Sequence, residues 1–121
     1  MSGRLTTHVL DLAIGKPAAG MALELWRMNQ GNDRELLRHA ITNADGRLDA
    51  PLLAGEACRA GIYELVFKVG DYYLSCAGPS LHDPELFLDV VPIRFCLRAA
   101  NEHYHVPLLV APGGYSTYRG S

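Results

Sequence analysis

Three histidines occupy stretches whose residue pattern could do chemistry: His8 in Leu-Thr-Thr-His-Val-Leu-Asp, and His103 and His105 in His-Tyr-His-Val-Pro-Leu-Leu-Val. Residues two apart on a strand share a face, so His103, His105, Pro107 and Leu109 point one way, and Tyr104, Val106, Leu108 and Val110 the other. The second set reads as core. Proline cannot donate to a ladder, so the histidine face borders an edge, a subunit contact or a cavity. Thr6, His8 and Leu10 likewise share a face. Imidazole titrates close to working pH, which suits it to acid–base catalysis once a partner is placed nearby. Arg47 follows the turn Asn-Ala-Asp-Gly, and its guanidinium offers a rigid fork of donors for a planar, anionic or carbonyl-rich ligand. Two other readings stay open at this level. The three histidines could imitate a zinc site with an open water position, or they could be incidental strand residues.

The elements that must position these residues read as short strands: Leu5–Leu12, Met21–Met28, Glu35–Thr42, Gly61–Val69, Val90–Leu97, Tyr104–Val110 and Tyr115–Arg119. Turn-forming segments separate nearly all of them, among them Gly-Lys-Pro-Ala-Ala-Gly, Asn-Ala-Asp-Gly and Ala-Pro-Gly-Gly. Seven or eight such strands predict an antiparallel sandwich, with a small barrel as the other option. Asp71–Ala77 has an aspartate at its start and Gly78-Pro79 beyond its end, the pattern of a two-turn helix. His-Asp-Pro-Glu-Leu-Phe at 82–87 is the alternative helical segment, or only a turn. The ending, His-Tyr-His-Val-Pro-Leu-Leu-Val-Ala-Pro-Gly-Gly-Tyr-Ser-Thr-Tyr-Arg-Gly-Ser, reads as a hairpin that brings His105 and the final tetrapeptide to one region of one sheet.

Length and composition narrow the function. A chain of 121 residues, 49% apolar and 20% charged, makes a single domain spanning 1–121. A net charge of −2 with scattered basic residues gives no footprint for nucleic acid. Cys58, Cys76 and Cys96 match no zinc-ligand spacing and read as reduced, buried and structural. No signal-peptide core and no apolar run long enough for a membrane helix is seen, so the expectation is a cytoplasmic protein. Nucleophile elbows, phosphate loops and dinucleotide-binding glycine patterns do not occur.

Three separated stretches together resemble one family. Leu-Thr-Thr-His-Val-Leu-Asp-Leu-Ala-Ile-Gly-Lys-Pro-Ala-Ala-Gly near the start, Asp-Gly-Arg at 45–47, and the segment from Glu102 to Tyr118-Arg119-Gly120-Ser121 are similar to the 5-hydroxyisourate hydrolases, the transthyretin-related proteins. Gly-Ile-Tyr-Glu-Leu-Val-Phe-Lys-Val-Gly-Asp-Tyr-Tyr fits the family's strand-then-helix segment. The closing Tyr-Arg-Gly-Ser separates these enzymes from transthyretin. The resemblance implies an all-β, transthyretin-like sandwich of two four-stranded antiparallel sheets with one short helix. It also implies a homotetramer, a dimer of dimers, with sites at the dimer–dimer interface. The implied activity is hydrolysis of 5-hydroxyisourate to 2-oxo-4-hydroxy-4-carboxy-5-ureidoimidazoline in urate degradation, without metal or other cofactor. Carried over by motif, the catalytic residues are His8, Arg47, His105 and Ser121, and the substrate-binding residues Tyr118, Arg119 and Gly120. His103 is outside the carried-over set.

Two departures accompany the resemblance. Ala111 and Gly113 stand where many members have a serine and an aromatic, so no contact specific to that turn is carried across. The segment Leu-Ser-Cys-Ala-Gly-Pro-Ser-Leu-His-Asp-Pro-Glu-Leu-Phe-Leu-Asp-Val-Val-Pro is punctuated differently from the family pattern. A ligand carrier is the competing function, but it would line its channel with apolar and small groups. Histidines, arginines and a tyrosine suit a polar, purine-derived substrate better.

Overall fold

The computed structural model describes residues 3–76 and 86–120. Nine strands, one α-helix and one short 3-10 turn follow in the order β1 (Arg4–Asp11), β2 (Lys16–Pro17), β3 (Ala22–Met28), β4 (Arg34–Ile41), β5 (Leu53–Ala54), the 3-10 turn Gly55–Ala57, β6 (Gly61–Phe67), α1 (Val69–Cys76), β7 (Val91–Leu97), β8 (His103–Ala111) and β9 (Gly114–Thr117). Two sheets form a sandwich: β2-β1-β8-β9, with β5 also paired to β1, and β4-β3-β6-β7.

The expected all-β sandwich with a short helix is what the chain forms, and three details differ. One sheet has five strands rather than four, because the two-residue β5 pairs Leu53 and Ala54 with Leu5 and Arg4; a two-residue strand leaves no alternation to read. The central pair β1·β8 runs parallel, not antiparallel. These strands come from opposite ends of the sequence, so no hairpin fixes their direction. The expected strand from Tyr115 to Arg119 stops at Thr117, which frees Tyr118 and Arg119 from the ladder.

Alternation drives the packing. In β1 the side chains of Leu5, Thr7, Val9 and Asp11 are buried while the residues between them are not. From β8, Tyr104, Val106, Leu108 and Val110 enter the same core, as their spacing predicts. Leu23, Leu25, Tyr63, Leu65, Phe67, Val91 and Ile93 meet them from the other sheet. Helix α1 begins two residues before the expected Asp71, which sits in its first turn. Its Tyr72 and Tyr73 hydroxyls donate to the two carboxylate oxygens of Asp11 at 2.8 and 2.7 Å. Burial is not uniform among the thiols: Cys58 is buried, but Cys96 is exposed, contrary to expectation, because it lies on the outer face of an edge strand. The expected end of the helix at Ala77 and the turn from 82 to 85 lie outside the described residues. Among the described residues no helix is long and apolar enough to cross a membrane.

Candidate functional site

The parallel register of β1 and β8 builds the site. It sets Arg4 opposite His103, Thr6 opposite His105 and His8 opposite Pro107. Alternation then turns Arg4, Thr6, His8, His103 and His105 to the face away from the core. His8 and His105 are neighbours on the diagonal. Their rings stack with centroids 4.8 Å apart, and His8 Nδ1 lies 2.6 Å from His105 Nε2. The other nitrogen of His105, Nδ1, is 2.7 Å from Thr6 Oγ1. Both nitrogens of His105 are thus engaged within the protein, whereas Nε2 of His8 has no hydrogen-bond partner among the described residues.

Arg47 reaches this face through the turn that precedes it. The Asn43 side-chain oxygen accepts from the Asp45 and Arg47 amides at 2.9 and 3.2 Å, and Asn43 N donates to Arg47 O at 2.8 Å. Gly46 adopts φ +71° and packs against the Val9 carbonyl so closely that a Cβ would collide with it. The chain can therefore bridge Arg47 to His8 in an antiparallel contact only with glycine at this point. Val9 N completes the seam by donating to Gly46 O at 2.8 Å.

The tail closes the site from the other side. After β9 the chain folds back so that Gly120 N donates to His105 O at 2.7 Å. A Cβ on Gly120 would stand 2.8 Å from Cδ2 of the His105 ring. The resulting cleft holds about 520 Å³ and is lined by His8, His103, His105, Arg47, Tyr118 and Gly120 together with Arg4, Thr6 and the segment 48–51. Of the residues marked out in the sequence, His8, Arg47, His105, Tyr118 and Gly120 come together here. Arg119 does not: its guanidinium stacks 3.9 Å over the Tyr104 ring and donates to Glu102 at 3.0 Å, so it fastens the tail to β8. Ser121 lies outside the described residues.

Electrostatics favour neutral imidazoles. Burial lowers the pKa of His8, and the positive charge of Arg47 lowers it further. The pKa of His105 is lowered first by burial and then by His8, Arg47 and His103. Neutral imidazole offers one donor and one acceptor nitrogen, the state a general base requires. A zinc-like site asks for histidine nitrogens converging on one point. Here they point at each other or at Thr6, and no cluster of three or more metal-ligating residues occurs among the described residues.

The family motif left out His103, Thr6 and Arg4, although alternation had set His103 and Thr6 on the faces of His105 and His8. His103 Nε2 lies 2.8 Å from the same Thr6 oxygen that meets His105. Alternation in β1 put Thr6 beside His8 from the start; what it could not reveal was the register that sets Thr6 between two histidines.

The fold is that of a known class. The family model for the HIUase/Transthyretin family matches residues 5–120. The chain belongs to that family. It is 60% identical, over the full length of both chains, to the 5-hydroxyisourate hydrolase of Halalkalibacterium halodurans. A crystal structure of (S)-allantoin synthase superposes with a TM-score of 0.90 at 42% identity over 99% of this chain, which spans 44% of that longer chain. The structure of Klebsiella pneumoniae 5-hydroxyisourate hydrolase matches with a TM-score of 0.79 and 35% identity, over 98% of this chain and 99% of that one.

Proposed function

We propose that this protein hydrolyses 5-hydroxyisourate to 2-oxo-4-hydroxy-4-carboxy-5-ureidoimidazoline, as a step of urate degradation, using side chains alone. The observation that carries the reading is the 2.6 Å contact of His8 with His105 in a cleft shared with Arg47. The names of the full-length relatives support the substrate.

The reaction opens a cyclic acyl–nitrogen bond. Water adds to the acyl carbon, the C–N bond breaks, and a proton must leave the water and arrive on the departing nitrogen. His8 takes the water proton on its free Nε2, while His105 holds the His8 ring through Nδ1. The same proton is then available for the nitrogen. Arg47, always cationic, faces the negative charge that develops on the carbonyl oxygen. Tyr118 and Gly120 shape the wall against which the substrate rests, and Ser121 completes the catalytic set by family resemblance. Arg119 is substrate-binding by family resemblance, and its contacts with Tyr104 and Glu102 also keep the tail in place.

The protein assembles in this reading as a homotetramer, a dimer of dimers, in the cytoplasm. Exposed Leu12, Ile14, Tyr115 and Tyr118 would supply apolar contact between copies. Sedimentation equilibrium checks the assembly. For the activity, 5-hydroxyisourate is generated in situ from urate and its ultraviolet decay is followed with and without the protein, and with chelator. Acceleration over the spontaneous decay, unchanged by chelator, is expected. No acceleration removes the hydrolase reading, and loss of activity on chelation replaces it with a metal-dependent one.

A further inference from the structure

The His8–His105 pair does not end at His105. Thr6 Oγ1 touches two imidazoles at once, His105 Nδ1 at 2.7 Å and His103 Nε2 at 2.8 Å. With His8 Nδ1 and His105 Nε2 at 2.6 Å, four side chains form an unbroken line from the cleft to exposed His103. We propose that Thr6 and His103 are positioning residues of the reaction: they set the tautomer of the histidine pair and carry a proton between His8 and solvent. This rests on the hydrolase reading of the cleft.

The proton count allows two neutral arrangements. A hydroxyl has one proton, so when both contacts of Thr6 are ordered it donates to one imidazole and accepts from the other. In the first arrangement Thr6 donates to His103 Nε2 and His105 donates from Nδ1 to Thr6. Nε2 of His105 then accepts from His8 Nδ1–H. This leaves a lone pair on His8 Nε2, the form that takes a proton from water. In the second, every bond is reversed: His103 donates to Thr6, Thr6 to His105 Nδ1, and His105 Nε2–H to His8 Nδ1. His8 then presents Nε2–H, the form that protonates a leaving nitrogen. Passing from the first to the second takes one proton in at His8 Nε2 and releases one from His103 Nδ1. No net charge remains in the line. Without Thr6, His105 Nδ1 loses the hydroxyl that fixes which nitrogen of the ring bears its proton.

Several groups surround His103. Arg4 stands opposite it on β1, and its ring centroid is 6.3 Å from that of His105. Arg47, Asp49 and Tyr118 line the same cleft, and Arg119 of the tail donates to the His103 carbonyl. Among these groups His103 is the exposed imidazole, able to exchange its proton with water.

The test uses the full-length protein with 5-hydroxyisourate made in situ. Thr6→Val keeps the shape and removes the hydroxyl; Thr6→Ser restores it; His103→Gln can still bond Thr6 but cannot relay a proton. Thr6→Val should lower kcat by roughly 10–100-fold, the scale of losing the partner that orients a catalytic group, with KM little changed. Thr6→Ser should recover most of the rate. His103→Gln, whose exposed position spares the fold, should lower kcat several-fold. It should also turn a curved rate dependence on the D2O fraction, which signals several protons in flight, into a straight one. Wild-type kcat and curvature in both Thr6→Val and His103→Gln, with wild-type activity intact, would overturn the relay and leave the hydrolase standing. A Thr6→Ser protein as slow as Thr6→Val would overturn it too. Absence of wild-type acceleration removes the hydrolase reading, and the relay falls with it.

Discussion

β1 carries a polar cluster on each of its faces, and the two differ in one physical respect. On the inner face Asp11, 2% exposed, accepts from Tyr72, from Tyr73 and from the Ala13 amide at 3.0 Å. Its oxygens are satisfied by helix and turn, and it does not line the histidine cleft. On the outer face Thr6, His8 and His105 are also linked to one another, but His8 keeps one nitrogen toward a cleft. A closed network holds structure, whereas a network with one open end can act on a ligand. The same strand therefore anchors α1 through its odd residues and builds a reactive surface through its even ones.

Substitutions on the two faces should separate in kind. The largest expected effect on activity is from His105→Asn, which removes the group behind His8. It should lower kcat by about a hundredfold or more while the melting temperature moves little. Arg47→Gln comes next, with a loss on the order of a hundredfold for a missing oxyanion partner. It carries a second signature. Because the Arg47 charge lowers both histidine pKa values, its removal should shift the acid limb of kcat/KM upward toward the ordinary imidazole value.

The sign for the wild type follows from the same shifts. Both histidines stay neutral in the fold below the pH at which the unfolded chain protonates. Activity should hold through about pH 6.5 and fall only as pH drops through the lowered folded values. Their contribution to stability follows the same window, present above the unfolded value and lost as pH falls through the folded ones. A urea titration across pH 7 to 5 checks that direction.

Gly120→Ala should have a smaller effect, roughly tenfold on kcat by displacing a positioned ring. A Cβ 2.8 Å from the His105 ring forces ring or tail to move. Smallest for activity is Asp11→Ala on the inner face. It strips the acceptor from three donors and should lower stability by about 2–4 kcal/mol, measured by urea denaturation, yet leave kcat of the folded protein near normal. A large loss of kcat there at unchanged stability would erase the distinction between the faces.

How much of this was legible in the sequence follows from what local pattern can encode. Alternation in residues 104–110 marked core against outer face and placed His105 on the outer one, and in residues 5–11 it grouped His8 with Thr6 without saying which face was core. Asn-Ala-Asp-Gly marked the turn that delivers Arg47, because Asn43 and Gly46 have the residue types such a turn demands. The register of β1 against β8 was not legible. It joins residues nearly a chain length apart and is chosen by packing of the whole sandwich. That register is what turned His103 and Thr6 from bystanders into neighbours of His105. The placement of Arg119 was hidden for a related reason: the motif marked the tail as important but not which way each side chain turns once β9 ends at Thr117.

The most direct test of the account is the kcat of His8→Asn on 5-hydroxyisourate, with the spontaneous decay subtracted and folding verified by its melting temperature. The account predicts a folded protein whose rate falls by about a hundredfold or more. A folded His8→Asn protein that turns over substrate at the wild-type rate would contradict it.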